Sequence, residues 1–370
     1  MEARYARITD ESLENLRQRM GVEVPRRQPY IEVATRDAIR HFANGIGDLN
    51  PLWTDEEYAR GARVGCLLAP PCILYSMDLT VSGNVGGLPG VHAMFSGTNW
   101  EWFLPIRVDD RILGASRLTD LIEKESAFAG RTYLQGYETV FRNQNDERVC
   151  RAKAFCIRAE RDTARGKGKY KQISRHTYTP EEIRAIEVDY DQEEVRGARA
   201  RYWEDVQVGE ELTPIVKGPL TITDIVCWTM GWGGLFLRAH KLGLDYRRRH
   251  SAATIPDLYG VPDVPERVHW DNDLAREVGV PGAYDYGPQR ISWLGNLMTH
   301  WIGDDGFLRK LEVEVRRFNI VGDTTWCKGR VERKYVEAGE HLVECQVWAE
   351  NQRGETTARG GALVRLPSRG

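Results

Sequence analysis

The 370-residue chain has no apolar run of membrane-spanning length, no cysteine pair at CxxC spacing and no excess of positive charge. The first absence excludes a transmembrane helix from the expectations. The charged start MEARYARITDESLENLRQRM lacks the apolar core of a secretory leader and is expected to form a short surface helix. Seven cysteines, at positions 66, 72, 150, 156, 227, 327 and 345, are odd in number. They predict buried, reduced thiols in a cytoplasmic protein and no zinc centre. A net charge of −3 gives no electrostatic footprint for nucleic acid.

What the chain does contain is a long internal repeat. Trp53-Thr54-Asp55-Glu56-Glu57-Tyr58-Ala59-Arg60 returns as His269-Trp270-Asp271-Asn272-Asp273-Leu274-Ala275-Arg276, with Asp, Ala and Arg in register. Two further matches follow in the same order. Val108-Asp109-Asp110 corresponds to Val321-Gly322-Asp323, and Arg142-Asn143-Gln144 to Glu350-Asn351-Gln352. A period above 200 residues is too long for a solenoid and suits a duplicated domain. Each half ends in alternating segments split by a polar turn, Asn145-Asp146 or Arg353-Gly354, which reads as antiparallel strands joined by hairpins. Only one copy of the first motif carries a histidine, so function is expected where His269 lies.

Residues 1–165 and 201–370 are therefore expected to be two domains, with 166–200 as a linker and surface helix. The basic run Gly166-Lys167-Gly168-Lys169-Tyr170-Lys171 reads as solvated. In the second domain, Gly287 to Trp301 carries apolar residues at 291, 294, 297, 298 and 301, which is helical spacing. Pro288 suits the first helical turn. A counterpart is expected from Pro70 to Met77, ended by Ser82-Gly83-Asn84. The fold class is α+β, two antiparallel sheets each wrapping a long central helix.

His41 to Ala59, with Gly47-Asp48-Leu49-Asn50-Pro51-Leu52-Trp53-Thr54-Asp55, resembles the motif of MaoC-like acyl dehydratases and (R)-specific enoyl-CoA hydratases. The second half resembles the same family through His269-Trp270-Asp271, Gly279-Val280-Pro281-Gly282 and Gly322-Asp323-Thr324. The resemblance spans roughly 30–160 and 203–366. It implies a double hotdog fold with a FAS1-like dehydratase first half. The implied activity is reversible hydration of a 2-enoyl thioester of coenzyme A or acyl carrier protein, without cofactor or metal. It also implies an Asp–His pair for proton transfer and a helix start, here Gly287, for the thioester oxygen. A missing side chain at Gly287 is expected to admit the thioester closely.

The departures locate the candidates. In the first half Asp48 and Asn50 are in place, but Trp53 stands at the histidine position, and tryptophan relays no proton at neutral pH. That half is expected to be catalytically vestigial, with Asp48, Asn50 and Trp53 shaping the acyl pocket or supporting the partner domain. In the second half Gly234 aligns with Asp48, and an insert, 235–264, separates it from His269. Asp263 is the leading replacement acid, with Glu266 and Asp257 as alternatives. Trp270 and Tyr286 are expected at the pocket, and Arg247 is a candidate for carrier phosphate. Asp55 and Asp271 read as helix N-caps, Asp110 and Asp323 as turn residues, and His41, His240, His250 and His300 as structural. Two other readings stay open: a non-catalytic acyl-thioester binding protein or subunit of a larger complex, and a hotdog thioesterase. A double hotdog already makes internally the pairing of a single-hotdog dimer, and a further homodimer is compatible with it.

Overall fold

The computed structural model describes residues 6–24, 29–126, 130–160, 173–251 and 254–370. The Gly166–Lys171 run lies outside them. Alternation of inward and outward side chains yields the strands β1 Glu23–Val24, β2 His92–Trp102, β3 Leu113–Ser126, β4 Gly130–Arg142, β5 Arg148–Ala159 and β6 Glu211–Lys217. A two-residue ladder, β7 Ile255–Pro256 with β8 Pro262–Asp263, lies in the insert, and β9 Phe307–Val315, β10 Thr325–Glu337, β11 Glu340–Asn351 and β12 Thr356–Arg365 complete the second half.

The two expected sheets are joined. One ten-stranded sheet runs β1-β3-β4-β5-β2-β9-β12-β11-β10-β6, with its halves fused where β2 pairs antiparallel with β9 (Thr98 opposite Val313, Glu101 opposite Lys310). This junction pairs the strand that follows the central helical segment in each half, so the halves are related by a local two-fold axis. A second contact repeats the relation. Helix Arg36–Ile46 packs on helix Ile222–Trp232. A Cβ on Gly45 would lie 2.9 Å from the Cys227 carbonyl oxygen, and one on Gly231 would lie 2.6 Å from that of His41. Only glycine permits this approach of the two backbones.

The repeated motifs adopt repeated structure. Asp110 accepts from the Arg107 amide at 2.8 Å and Asp323 from the Ile320 amide at 3.0 Å. Asn143 and Asn351 each brace their hairpin by accepting two backbone amides. Asp55 caps helix Glu56–Gly61 and Asp271 caps helix Asn272–Glu277. The N-terminal helix, Asp10–Arg17, and the linker helix, Pro180–Asp191, form as expected, the latter with a Thr179/Glu182 capping box. All seven cysteines are free thiols, five of them buried. Among the described residues no helix is long and apolar enough to cross a membrane.

The expected symmetry of the central helices is broken. Gly287–Ile302 forms a sixteen-residue helix, buried from Pro288 onward and packed on β2 and β9. Its first-half counterpart is a 3-10 turn, Pro71–Ile73, and a single helical turn, Leu74–Met77. Asp78 stops it. This residue is extended (φ −144°, ψ 112°), and its carboxylate accepts from the Thr80 amide at 2.8 Å and from the Ser116 hydroxyl at 3.0 Å. Such a local side-chain bond competes with the next helical turn.

Candidate active site

His269 ends a 3-10 turn, Pro265–His269, that the insert delivers to the start of the central helix. Its Nδ1 lies 2.8 Å from the Tyr284 carbonyl oxygen. A carbonyl only accepts, so the proton sits on Nδ1 and Nε2 keeps its lone pair. The imidazole stacks on the Tyr286 ring, centroids 3.6 Å apart and planes inclined by 22°. Enclosure by protein pushes its pKa down to about 4, against the smaller opposing pull of the Tyr284 and Asp285 backbone. The ring is therefore neutral at physiological pH.

Tyr286 is the N-cap of the central helix, followed by Gly287 and by Pro288, which contributes no N–H. The helix start carries the positive end of the macrodipole. It is anchored from below by Arg290, which pairs with buried Asp285 and donates to the Arg317 and Thr357 carbonyls at 2.8 and 3.0 Å. The space left by the missing side chain of Gly287 is already filled, contrary to expectation. A Cβ there would lie 2.3 Å from the Phe95 ring of the first half. Gly287 thus serves interdomain packing, and what it offers a ligand is its backbone.

His269, Tyr286 and Gly287 open on a cavity of about 1160 Å³ lined by both halves. The first half contributes Ser82, Asn84 and Phe95, and the insert contributes Phe236, Tyr246 and Arg249. Glu266 also lines it and is buried. Its carboxylate accepts from the Leu235 amide at 3.1 Å, the Phe236 amide at 2.8 Å and the Tyr286 hydroxyl at 3.0 Å. Burial raises its pKa, offset in part by these donors and by Arg238.

Several expected site residues lie elsewhere. Asp263, the leading acid, is half-exposed and does not line the cavity; its carboxylate turns to Arg267 at 3.5 Å and to the Val264 amide at 2.7 Å. The short β7–β8 ladder, in which Asp263 pairs with Ile255, holds its backbone there. Arg247 folds back over Gly243 on its own helix, and Arg249 and Arg238 line the cavity instead. Trp270 packs against the main core, outside the cavity wall. Asp48, Asn50 and Trp53 are buried in the first half, apart from the large cavity. Asp48 accepts from Trp53 Nε1 at 2.8 Å and from His300 Nε2, at the far end of the central helix, at 3.0 Å. What remains beside Asn50 and Trp53 is a void of about 60 Å³. Through these bonds Asp48 ties Trp53 to the central helix of the second half.

The comparisons with known proteins follow this division. A family profile, the FAS1-like dehydratase domain region, matches residues 18–152. A UPF0336 protein of Streptomyces avermitilis is 30% identical over 116 residues, which are 30% of this chain and 73% of that protein. Across the whole fold, a solved MaoC-like dehydratase superposes with a TM-score of 0.67 at 17% identity, covering 95% of this chain and 99% of the other. The chain belongs to the family of the UPF0336 proteins, and its first half carries the FAS1-like dehydratase domain region. A double hotdog protein of Mycobacterium tuberculosis, essential for bacterial survival during infection, shares the fold at a TM-score of 0.53 and 9% identity, covering 93% of this chain and 96% of its own. Of the residues lining the cavity, Phe95 stands in no sequence motif, and Glu266 is an alternative ranked behind Asp263.

Proposed function

We propose that this MaoC-like protein catalyses reversible, (R)-type hydration of a 2-enoyl thioester, carried by coenzyme A or acyl carrier protein, at a single site in its second half. The observation that carries the reading is His269. Its imidazole is neutral, held in one tautomer by the Tyr284 carbonyl, and lies on a large cavity at the N-terminus of a buried helix. Hydration needs these parts. As the water oxygen bonds to C3, a water proton passes to His269 Nε2. The C2–C3 π electrons move toward the thioester oxygen, which the helix start stabilises through its N–H and dipole. A proton then adds to C2. The exposed Arg238 and Arg249 line the same cavity and suit the phosphates of a carrier.

The test is hydration of crotonyl-CoA and of longer and branched 2-enoyl-CoA thioesters, with chiral analysis of the 3-hydroxyacyl product. Saturable binding of all of them without turnover would replace the lyase reading with an acyl-thioester binding role. Release of free thiol from saturated acyl-CoA would replace it with a thioesterase.

A further inference from the structure

We propose that Glu266 supplies the carboxylate that the second half lacks at Gly234 and acts with His269 as the acid–base pair of the hydration reaction. The inference rests on the function proposed above and assigns its second proton-transfer group.

The local two-fold relation places Gly234 where the first half has Asp48. Helices Arg36–Ile46 and Ile222–Trp232 are the same length, and each is ended by a left-handed glycine, Gly47 at φ 63° and Gly233 at φ 101°. The residue after each cap is Asp48 in one half and Gly234 in the other. Asp48 Oδ1 accepts from the amide two residues on, Asn50, at 3.0 Å. Glu266 Oε2 accepts from the amide two residues beyond Gly234, Phe236, at 2.8 Å, and its Oε1 lies 3.2 Å from where a Cβ on Gly234 would stand. A carboxylate from the turn just beyond the insert thus lies at the loop position of the missing aspartate.

The link to the histidine position is also kept, in altered form. In the first half Asp48 accepts directly from Trp53 Nε1, the side chain at that position, at 2.8 Å. In the second half Tyr286 stands between, donating to Glu266 at 3.0 Å and stacking on His269 at 3.6 Å. Both Glu266 and His269 face the cavity. Gly234 itself takes φ +71° with Leu237 and Glu266 crowding its bare side, so the loop is shaped around the imported carboxylate.

Proton balance follows from the pair. The proposed step requires His269 neutral and Glu266 protonated at the start; burial moves the Glu266 pKa upward from its ordinary value. Water adds to C3 and its proton goes to His269 Nε2, while Glu266 delivers its own proton to C2. The imidazolium and carboxylate that result are restored by one proton passing between them, and the net change is addition of one water. Charged and titratable groups facing Glu266 are Tyr286 and Arg238, with His269 across the cavity.

The experiment compares wild type, Glu266→Gln and His269→Ala on a panel of 2-enoyl-CoA thioesters, following kcat and KM against pH. Glu266→Gln should lower kcat about 100-fold or more with KM little changed, and should remove the alkaline fall that wild type shows as Glu266 ionises. A glutamate that only pins its loop would leave that pH limb in place. Wild-type kcat in folded Glu266→Gln, or a wild-type profile with no alkaline limb, overturns the proposal while an inactive His269→Ala protein leaves the hydratase reading intact. No wild-type turnover on any enoyl thioester overturns the hydratase reading itself. Should Glu266→Gln fail to fold, Glu266→Asp keeps the carboxylate and draws it back by one methylene. A lowered kcat with KM little changed and the alkaline limb retained supports the assignment, and a folded Glu266→Asp protein with wild-type kcat overturns it.

Discussion

The acid limb of the pH profile reports directly on His269. If Nε2 must be unprotonated to accept the water proton, kcat/KM falls tenfold per pH unit below the pKa of the free enzyme's imidazole. Enclosure places that pKa at about 4, from an ordinary value of 6.5. At pH 5 about 90% of the protein would then hold a neutral ring, against about 3% for an unshifted histidine. The acid limb should thus begin near pH 4, and turnover at pH 5 should stay close to its maximum. The same shift acts on stability. Between pH 6.5 and 4 the unfolded chain binds a proton at this residue that the folded chain does not, so folding stability is full above 6.5 and declines as pH falls toward 4. The loss is on the order of 3 kcal/mol, and thermal melts across the range must accompany the kinetics. His269→Gln should remove at least about two orders of magnitude of activity and flatten this stability loss. An acid limb centred near 6.5, or one that survives in His269→Gln, would refute the reasoning.

Three further substitutions probe the frame around the site. Gly231→Val places a Cβ 2.6 Å from the His41 carbonyl oxygen and must part the two helices; denaturant unfolding should show a loss of about 3 kcal/mol. Arg290→Met strands the buried Asp285 carboxylate and should cost about 3–5 kcal/mol, with part recovered when Asp285→Asn is added; an unchanged midpoint would show the pair is dispensable. Asp48→Asn disturbs the bonds to Trp53 and His300 and should cost about 1–3 kcal/mol of stability while turnover changes only a few-fold. Activity as low as in His269→Ala, with unaltered melting, would move catalytic chemistry into the first half.

Features bonded within a few residues were legible in the sequence. Asp55 and Asp271 at their caps, Asp110 and Asp323 in their turns, and Asn143 and Asn351 in their hairpins all act on amides two to four residues away. Residue type and spacing are enough to read such bonds. Glu266 was harder because its amide partners, Leu235 and Phe236, lie about thirty residues upstream across an insert with no counterpart. The signal available was its place in the same short turn as His269, whereas Asp263 sits before that turn in a separate ladder. The fused sheet was hidden because strand alternation says nothing about which edges of two domains meet.

The shortened first-half helix explains why one pocket is large and the other nearly closed. Had Pro71–Met77 continued for the sixteen residues of its counterpart, it would have consumed the segment up to about residue 86. Instead the chain leaves the helix at Asp78, and Leu79, Ser82, Asn84 and Val85 line the cavity of the second half. At the other pseudo-equivalent position Trp53 and Leu52 fill the space, leaving about 60 Å³ against about 1160 Å³. The central helix serves both ends, presenting Gly287 to the open cavity and His300 to the buried Asp48 of the first half. A duplicated fold with two equal sites must divide its interior between them. With Asp48 and His300 in a buried brace and the first helix short, the larger cavity takes most of that interior. The proposal that its substrate has a bulky acyl group follows from that allocation. It is tested by rising kcat/KM along a series of enoyl thioesters of increasing acyl volume, and a preference for crotonyl-CoA over every larger member would contradict it.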